Sequence, residues 1–185
     1  MAVAVESAVA ARRVAGSSRD SAMDLGRTLR HISSTGWGLR RAFDDNVLAA
    51  VESTILETES IHGGEICFAI EDNLSLRELW RNKSPRGRAV EIFARLGVWD
   101  TQHNNGVLIY VLWADRNVEI IADRGLAKAI GAHEWRAVSE RMEGLFAQMR
   151  TQDAVVEGIR AVGSLIAREF PTSERNELPN RPVIL

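Results

Sequence analysis

Five residues with oxygen-bearing side chains, Glu59, Glu65, Asn104, Asn105 and Asp123, stand beside the ends of three apolar stretches. Carboxylates and amide carbonyls are hard donors. Several of them brought together make the shell that a divalent cation such as Ca2+ or Mg2+ takes. The segments that carry them are ETESIHGGEICFAI, WDTQHNNGVLIYVLW and NVEIIADRG. Glu57 and Glu59 fall at the end of a helical pattern, where the macrodipole disfavours negative charge by ~0.3–1 kcal/mol. A cation is therefore expected beside them: a metal ion, Arg124 or a protonated His62. The plainer alternative is an exposed helix end with an arginine nearby. Glu71, Asp72, Asp115 and Arg116 gather at the other ends of the same stretches, and Asp115–Arg116–Asn117 most simply bends a hairpin. Arg86 and Arg88, in the first turns of a helix opened by Ser84–Pro85, could hold a phosphate with help from the N-terminal dipole, or could be solvated. His103 reads as a loop surface residue.

Positioning these groups requires a particular order of elements. Asp44 or Asp45 can cap a helix in which Val47, Leu48, Val51 and Ile55 recur at helical spacing, and Gly63–Gly64 is expected to stop it. An apolar strand follows over Glu65–Asp72, then a polar loop to Lys83. The Ser84–Pro85 helix ends at Gly97. A second strand, Gly106–Asp115, is apolar at nearly every residue, so it is expected to be central and covered on both faces. After the turn, a third strand runs over Val118–Asp123. Long helices follow over about 132–150 and 152–170, closed by Pro171. Strand, helix, strand makes a right-handed crossover with the first two strands parallel. Their starts and the end of the antiparallel third then share one edge. The expected fold is α/β: a small mixed sheet, a parallel βαβ unit plus an antiparallel hairpin strand, sandwiched between helices.

The expected organisation is a disordered lead-in over residues 1–20, an N-terminal helical segment over 21–42, an α/β domain over 43–171 and an extended tail over 172–185. In the helical segment Met23, Leu25, Leu29 and Ile32 are expected inward, with Arg27, Arg30 and His31 outward. A net charge of -2 gives no reason to expect nucleic acid or an anionic membrane as the main partner. The charge is uneven: residues 1–43 hold seven arginines against three carboxylates, so the remainder is acidic. The single cysteine, Cys67, lies within an apolar strand and is expected to be a reduced, inert thiol. No stretch approaches the roughly 18–20 apolar residues of a membrane span, and the N-terminus lacks the basic region of a signal peptide. A cytoplasmic protein is expected. Phosphate-cradling glycine loops, nucleophile elbows, CxxC and HExxH are all missing.

In combination, these segments resemble the TPM domain family of thylakoid-lumen photosystem-repair proteins and bacterial relatives. The carrying residues are Glu59, His62, Gly64, Glu65 and Ile66; Arg86, Arg88 and Ala89; the run from Trp99 to Tyr110; and Ala114 to Gly125. The closing REFP…NELPNRPVIL resembles a leaderless bacterial subgroup. The resemblance implies a small sheet between helices, calcium or another divalent ion in some members, and acid-phosphatase activity in a plant relative. Three functions follow as expectations. The first is a calcium-type cation-binding domain using Glu59, Glu65 and Asp123 with an Asn104 or Asn105 carbonyl. The second is a non-catalytic module for an unidentified protein partner. The third is a metal-assisted phosphatase in which Arg86 or Arg88 holds the phosphate, with no nucleophile or general acid identified.

Overall fold

The computed structural model describes residues 25–34, 36–171 and 177–185. The expected lead-in and Met23 lie outside the described residues. Helices α1 (Leu25–Ser33) and α2 (Gly36–Ala42) precede α3 (Asp45–Glu59), which starts where the Asp44 carboxylate accepts the Val47 N–H at 3.0 Å. α3 ends at Ser60 in right-handed backbone, so the expected glycine stop is not used. Gly64 is needed for another reason: a Cβ there would sit 2.5 Å from Ile166. Strand β1 (Glu65–Glu71) follows, then the short α4 (Leu76–Trp80) with its Ser75–Glu78 capping box, then α5 (Pro85–Arg95). The Ser84 hydroxyl caps α5 through Gly87 N–H, and Gly97 takes a left-handed φ of 68° just beyond it. Strand β2 (Gly106–Leu112) leads through a 3-10 turn at Trp113–Asp115 and a left-handed Arg116 into β3 (Asn117–Ala122). Helices α6 (Arg124–Ala129), α7 (Ala132–Ala147) and α8 (Thr151–Glu169) complete the helical part.

β1 and β2 run parallel with Glu65 opposite Gly106, and β3 returns antiparallel with Val107 opposite Ala122. Every residue of β1 and β2 is buried, the signature of strands covered on both faces. The chain end is not a free tail. Its strand β4 (Val183–Ile184) pairs parallel with β1, giving the order β3-β2-β1-β4. Leu185 N–H donates to Ile70 C=O at 2.9 Å, while Leu178, Val183 and Leu185 pack against buried apolar side chains. An open β1 edge would present unpaired backbone groups, and this segment covers it.

Alternation along the strands divides the core into two layers. Ile66, Phe68 and Ile70 with Val107, Ile109 and Val111 face α3, α7 and α8. Phe43, Trp113 and Phe146 close that layer with ring centroids 5.4–6.0 Å apart. Cys67 and Ala69 with Leu108, Tyr110 and Leu112 face α4, α5 and the C-terminal segment. The result is the expected α/β sandwich around a mixed sheet.

Helix α1 reverses the expected orientation. Leu25, Leu29 and Ile32 are exposed, whereas His31 is 2% exposed and Thr28 is also buried. Asp115, nearly buried at the end of the 3-10 turn, decides the matter. It takes Arg27 Nε at 2.8 Å, His31 Nε2 at 3.1 Å and Arg30 at 3.5 Å. An acidic group held out of water needs cationic partners more than three leucine-sized side chains need cover. Asp115 is thus an anchor for α1. Among the described residues no helix is long and apolar enough to cross a membrane.

Candidate functional site

The strand register assembles the expected edge. Glu65, Gly106 and Asp123 form a row across β1, β2 and the end of β3, with Asp123 N–H donating to Gly106 C=O at 2.8 Å. Two inter-strand spacings put the Glu65 and Asp123 backbones ~10 Å apart. Alternation sends both side chains to the face that carries Cys67 and Leu108. A Cβ on Gly106 would lie 2.0 Å from the Val98 carbonyl oxygen, so only glycine lets the preceding loop cover the row. Asn105 projects to the opposite face, where its amide donates to Gly63 C=O and its Oδ1 is buried with no partner. Asn104, in left-handed backbone, spends its Oδ1 on Arg124 Nε at 2.6 Å. The edge therefore directs Glu65 and Asp123 to one face, with Glu59 reaching the start of β1 from the end of α3, while the two asparagines are directed elsewhere.

Each carboxylate is held differently. Asp123 caps α6 weakly through Oδ1, which accepts Arg124 N–H at 2.7 Å, and its Oδ2 is buried without a hydrogen bond. Glu65 Oε2 accepts Leu178 N–H at 3.0 Å. Glu59 reaches forward to accept Ile66 N–H at 2.8 Å through Oε1, and its Oε2 accepts the Asn180 amide. Burial, followed by the nearby Glu65 charge, pushes the Glu59 carboxyl from 4.5 up to about 7, against the pull of those two hydrogen bonds. Neither cation expected beside it is supplied. Arg124 binds Asn104, and His62 is buried, so its pKa is lowered and it stays neutral, its Nδ1 accepting Gly64 N–H at 3.2 Å. Glu57 points outward and pairs with Arg160 at 3.0 Å. Among the described residues no three His, Cys, Asp or Glu side chains are gathered closely enough to enclose a metal ion.

Asn180 and the Leu178 amide, which hold Glu59 and Glu65, are the contacts at this edge that sequence reasoning missed. In NELPNRPVIL the apolar run is only VIL, preceded by two prolines, too short to mark a strand without the sheet edge that it pairs with. Glu177 adds a further tie, accepting Gln102 N–H at 3.2 Å.

Arg86 and Arg88 are not part of this edge. Arg88 grips Glu71 through two hydrogen bonds of 2.9 and 2.6 Å, and Tyr110 Oη donates to the same carboxylate at 2.5 Å. Glu78 joins Arg88 at 2.9 Å. Arg86 reaches Glu119 at 3.1 Å on β3. Glu71 lies at the far end of β1, six residues and hence ~20 Å from Glu65. An ion at the strand starts and a phosphate on Arg88 would thus be separated by the length of the sheet. Asp115, at the same far end, is committed to α1.

The TPM domain profile matches residues 39–165, about two thirds of the chain. The chain belongs to the TPM domain family. Its fold is similar to the BA42 protein of the psychrophilic bacterium Bizionia argentinensis, at 26% identity and a TM-score of 0.66, covering 76% of this chain and 93% of that one. It also resembles the N-terminal domain of a P. gingivalis protein, at 17% identity and a TM-score of 0.53, covering 68% of this chain and 76% of that one, a likeness of fold alone. No curated protein sequence matches the chain. The matched stretch takes in Glu59, Glu65 and Asp123 but neither α1 nor β4. The covering of the TPM edge by residues 177–185 therefore lies outside what the profile describes.

Proposed function

We propose that this TPM domain is a non-catalytic, divalent-cation-binding domain. Its strand-start edge takes Ca2+, or a similar hard cation, in exchange for its own C-terminal segment. The observation that carries the reading is Asp123 Oδ2, a buried carboxylate oxygen with no partner. It lies on the same face and register row as Glu65, whose charge already opposes that of Glu59. Carboxylate oxygens of this kind are what Ca2+ coordinates, and Ca2+ tolerates the irregular shells that Mg2+ does not. Glu59 and Glu65 now accept hydrogen bonds from Asn180 and Leu178 N–H. Those oxygens become available to a cation when residues 177–185 withdraw. The chemistry supplied is charge neutralisation and ordering; with Arg86 and Arg88 committed elsewhere, phosphate-ester turnover is not expected.

The test is titration of the full chain at alkaline pH with Ca2+ and then Mg2+, followed by backbone amide shifts. The expected result is a saturable change at Glu59–Glu65, Asp123 and residues 177–185 together, weakened by Asp123→Asn and by Glu65→Gln. No saturable change up to millimolar cation would refute the reading. Changes confined to Asp72 and Asp115 would move the site to the opposite end of the sheet.

A further inference from the structure

Residues 177–185 lie on β1 as a bound peptide would. Their burial alternates: Leu178 and Asn180 are half-buried between the exposed Glu177, Pro179 and Arg181. Further along, Val183 and Leu185 are half-buried and Ile184 is exposed. Leu178, Val183 and Leu185 enter the layer that holds Cys67, Ala69 and Leu108. The main chain adds a short parallel ladder, with Ala69 opposite Val183 and Ile70 opposite Ile184. In strand addition of this kind the backbone pairing supplies affinity and the alternate side-chain seats supply specificity.

The seat is shallow. None of residues 177–185 is buried, whereas every residue of β1 is. Segments with so little buried contact open at the low end of a protein's range of local stabilities. The polar anchor is also poorly matched in charge. Glu59 stands at the start of the β1 edge, where it takes Ile66 N–H, and the segment offers it the neutral amide of Asn180. Among the described residues no cation is placed against that carboxylate. Arg181, the cation next to Asn180 in the segment, is exposed, while Arg160 pairs with Glu57 and Arg124 with Asn104.

We propose that the β1 edge is a docking groove for an extended segment of a partner protein. That segment repeats the pattern of Leu178, Asn180, Val183 and Leu185, with lysine or arginine at the asparagine's place. Residues 177–185 hold the groove as a weaker stand-in. Charge complementarity selects this occupant. A cation at the place of Asn180 meets the Glu59 carboxylate in a charge-assisted hydrogen bond, about twice as strong as a neutral one. A second copy of the chain would bring the same asparagine and no such gain. Glu59 belongs both to this groove and to the candidate cation edge, but the docking requires no metal ion.

The probes are two fluorescent peptides, residues 177–185 as they stand and the same stretch carrying Asn180→Arg. Each is added to the full chain at alkaline pH in chelator, and binding is read by anisotropy. The Asn180→Arg peptide is expected to bind at least about tenfold more tightly than the unaltered one, and to weaken with added salt. That preference should vanish in Glu59→Gln. A full chain carrying Val183→Ala/Leu185→Ala, whose own segment competes less, should take both peptides more tightly than the parent. Thermal unfolding checks that this chain is folded, and Asn180→Ala is the milder substitute. Failure of the Asn180→Arg peptide to bind any of these folded chains overturns the proposal. So does equal affinity for the two peptides, which would make a second copy an equally good occupant. The chelator keeps both outcomes separate from the cation reading, which is tested with added metal alone.

Discussion

Replacing Glu59 by glutamine should stabilise the domain in alkali and leave it nearly unchanged in acid. Burial and the Glu65 charge raise the Glu59 carboxyl from 4.5 to about 7. That rise, at 1.36 kcal/mol per pH unit, corresponds to about 3 kcal/mol, an upper bound because the side chain is only partly buried. The sign follows from proton uptake. Between the unfolded and folded values the folded chain binds the extra proton, so the contribution is fully present below 4.5 and is lost as pH rises through about 7. Glutamine is the neutral isostere of the protonated form. Its carbonyl can still accept Ile66 N–H, and its amide can donate to Asn180 after that side chain flips. The assay is chemical denaturation of both proteins in chelator between about pH 5 and pH 9. The parent should lose up to about 3 kcal/mol more than the variant over that range, and the variant should be the more stable at the alkaline end. Saturating Ca2+ at alkaline pH should restore the parent and not the variant. Parallel curves, or a variant equally destabilised at every pH, would refute the assignment of that charge to Glu59.

Asn180→Ala removes a hydrogen bond that lowers the Glu59 pKa, so carboxyl NMR of Glu59 should show its midpoint moving further up. Arg88→Ala leaves Glu71 and Tyr110 Oη paired only with each other in the second core layer. It should cost about 3–5 kcal/mol by urea denaturation, a loss that Arg88→Lys recovers only in part. In Gly64→Ala the new methyl meets Ile166 Cγ2 at 2.5 Å, and overpacking should cost about 1–3 kcal/mol. Combined with Ile166→Ala, the two losses should be less than additive in a double-mutant cycle.

The central sheet was legible because β1 and β2 are apolar at nearly every position, which leaves a buried parallel pair as the natural reading. The crossover rule then placed Glu65 and Asp123 at one edge without any contact information. The fate of individual side chains was not legible. Whether Asn105 shares a face with Asp123 depends on strand parity at the loop junction, and NNG can enter a strand in either phase. Arg86 and Arg88 at a helix start look alike for phosphate binding and for an internal ion pair, and only Glu71 and Glu119 decide between the two. Helix α1 was misread because periodicity gives the apolar stripe and not the side it faces. Asp115, more than 80 residues away in sequence, sets that side. The C-terminal segment was missed because three apolar residues after two prolines are too short to register as a strand. Their stability comes from β1.

The position of Cys67 has a kinetic consequence. It is the chain's single thiol, it lies in the middle of β1, and burial, then the Glu59 charge, pushes it up to about 11. Its side chain joins the layer on which Leu178, Val183 and Leu185 pack. A thiol-specific reagent can therefore reach it only after part of the molecule opens, and two openings are expected to expose it: detachment of residues 177–185, or global unfolding. The two differ in the surface they expose, so labelling by detachment should be nearly insensitive to denaturant while labelling by global unfolding should accelerate steeply. The native chain thus contains a clock, readable by mass spectrometry without introducing any label site, that times how often its sheet edge is uncovered.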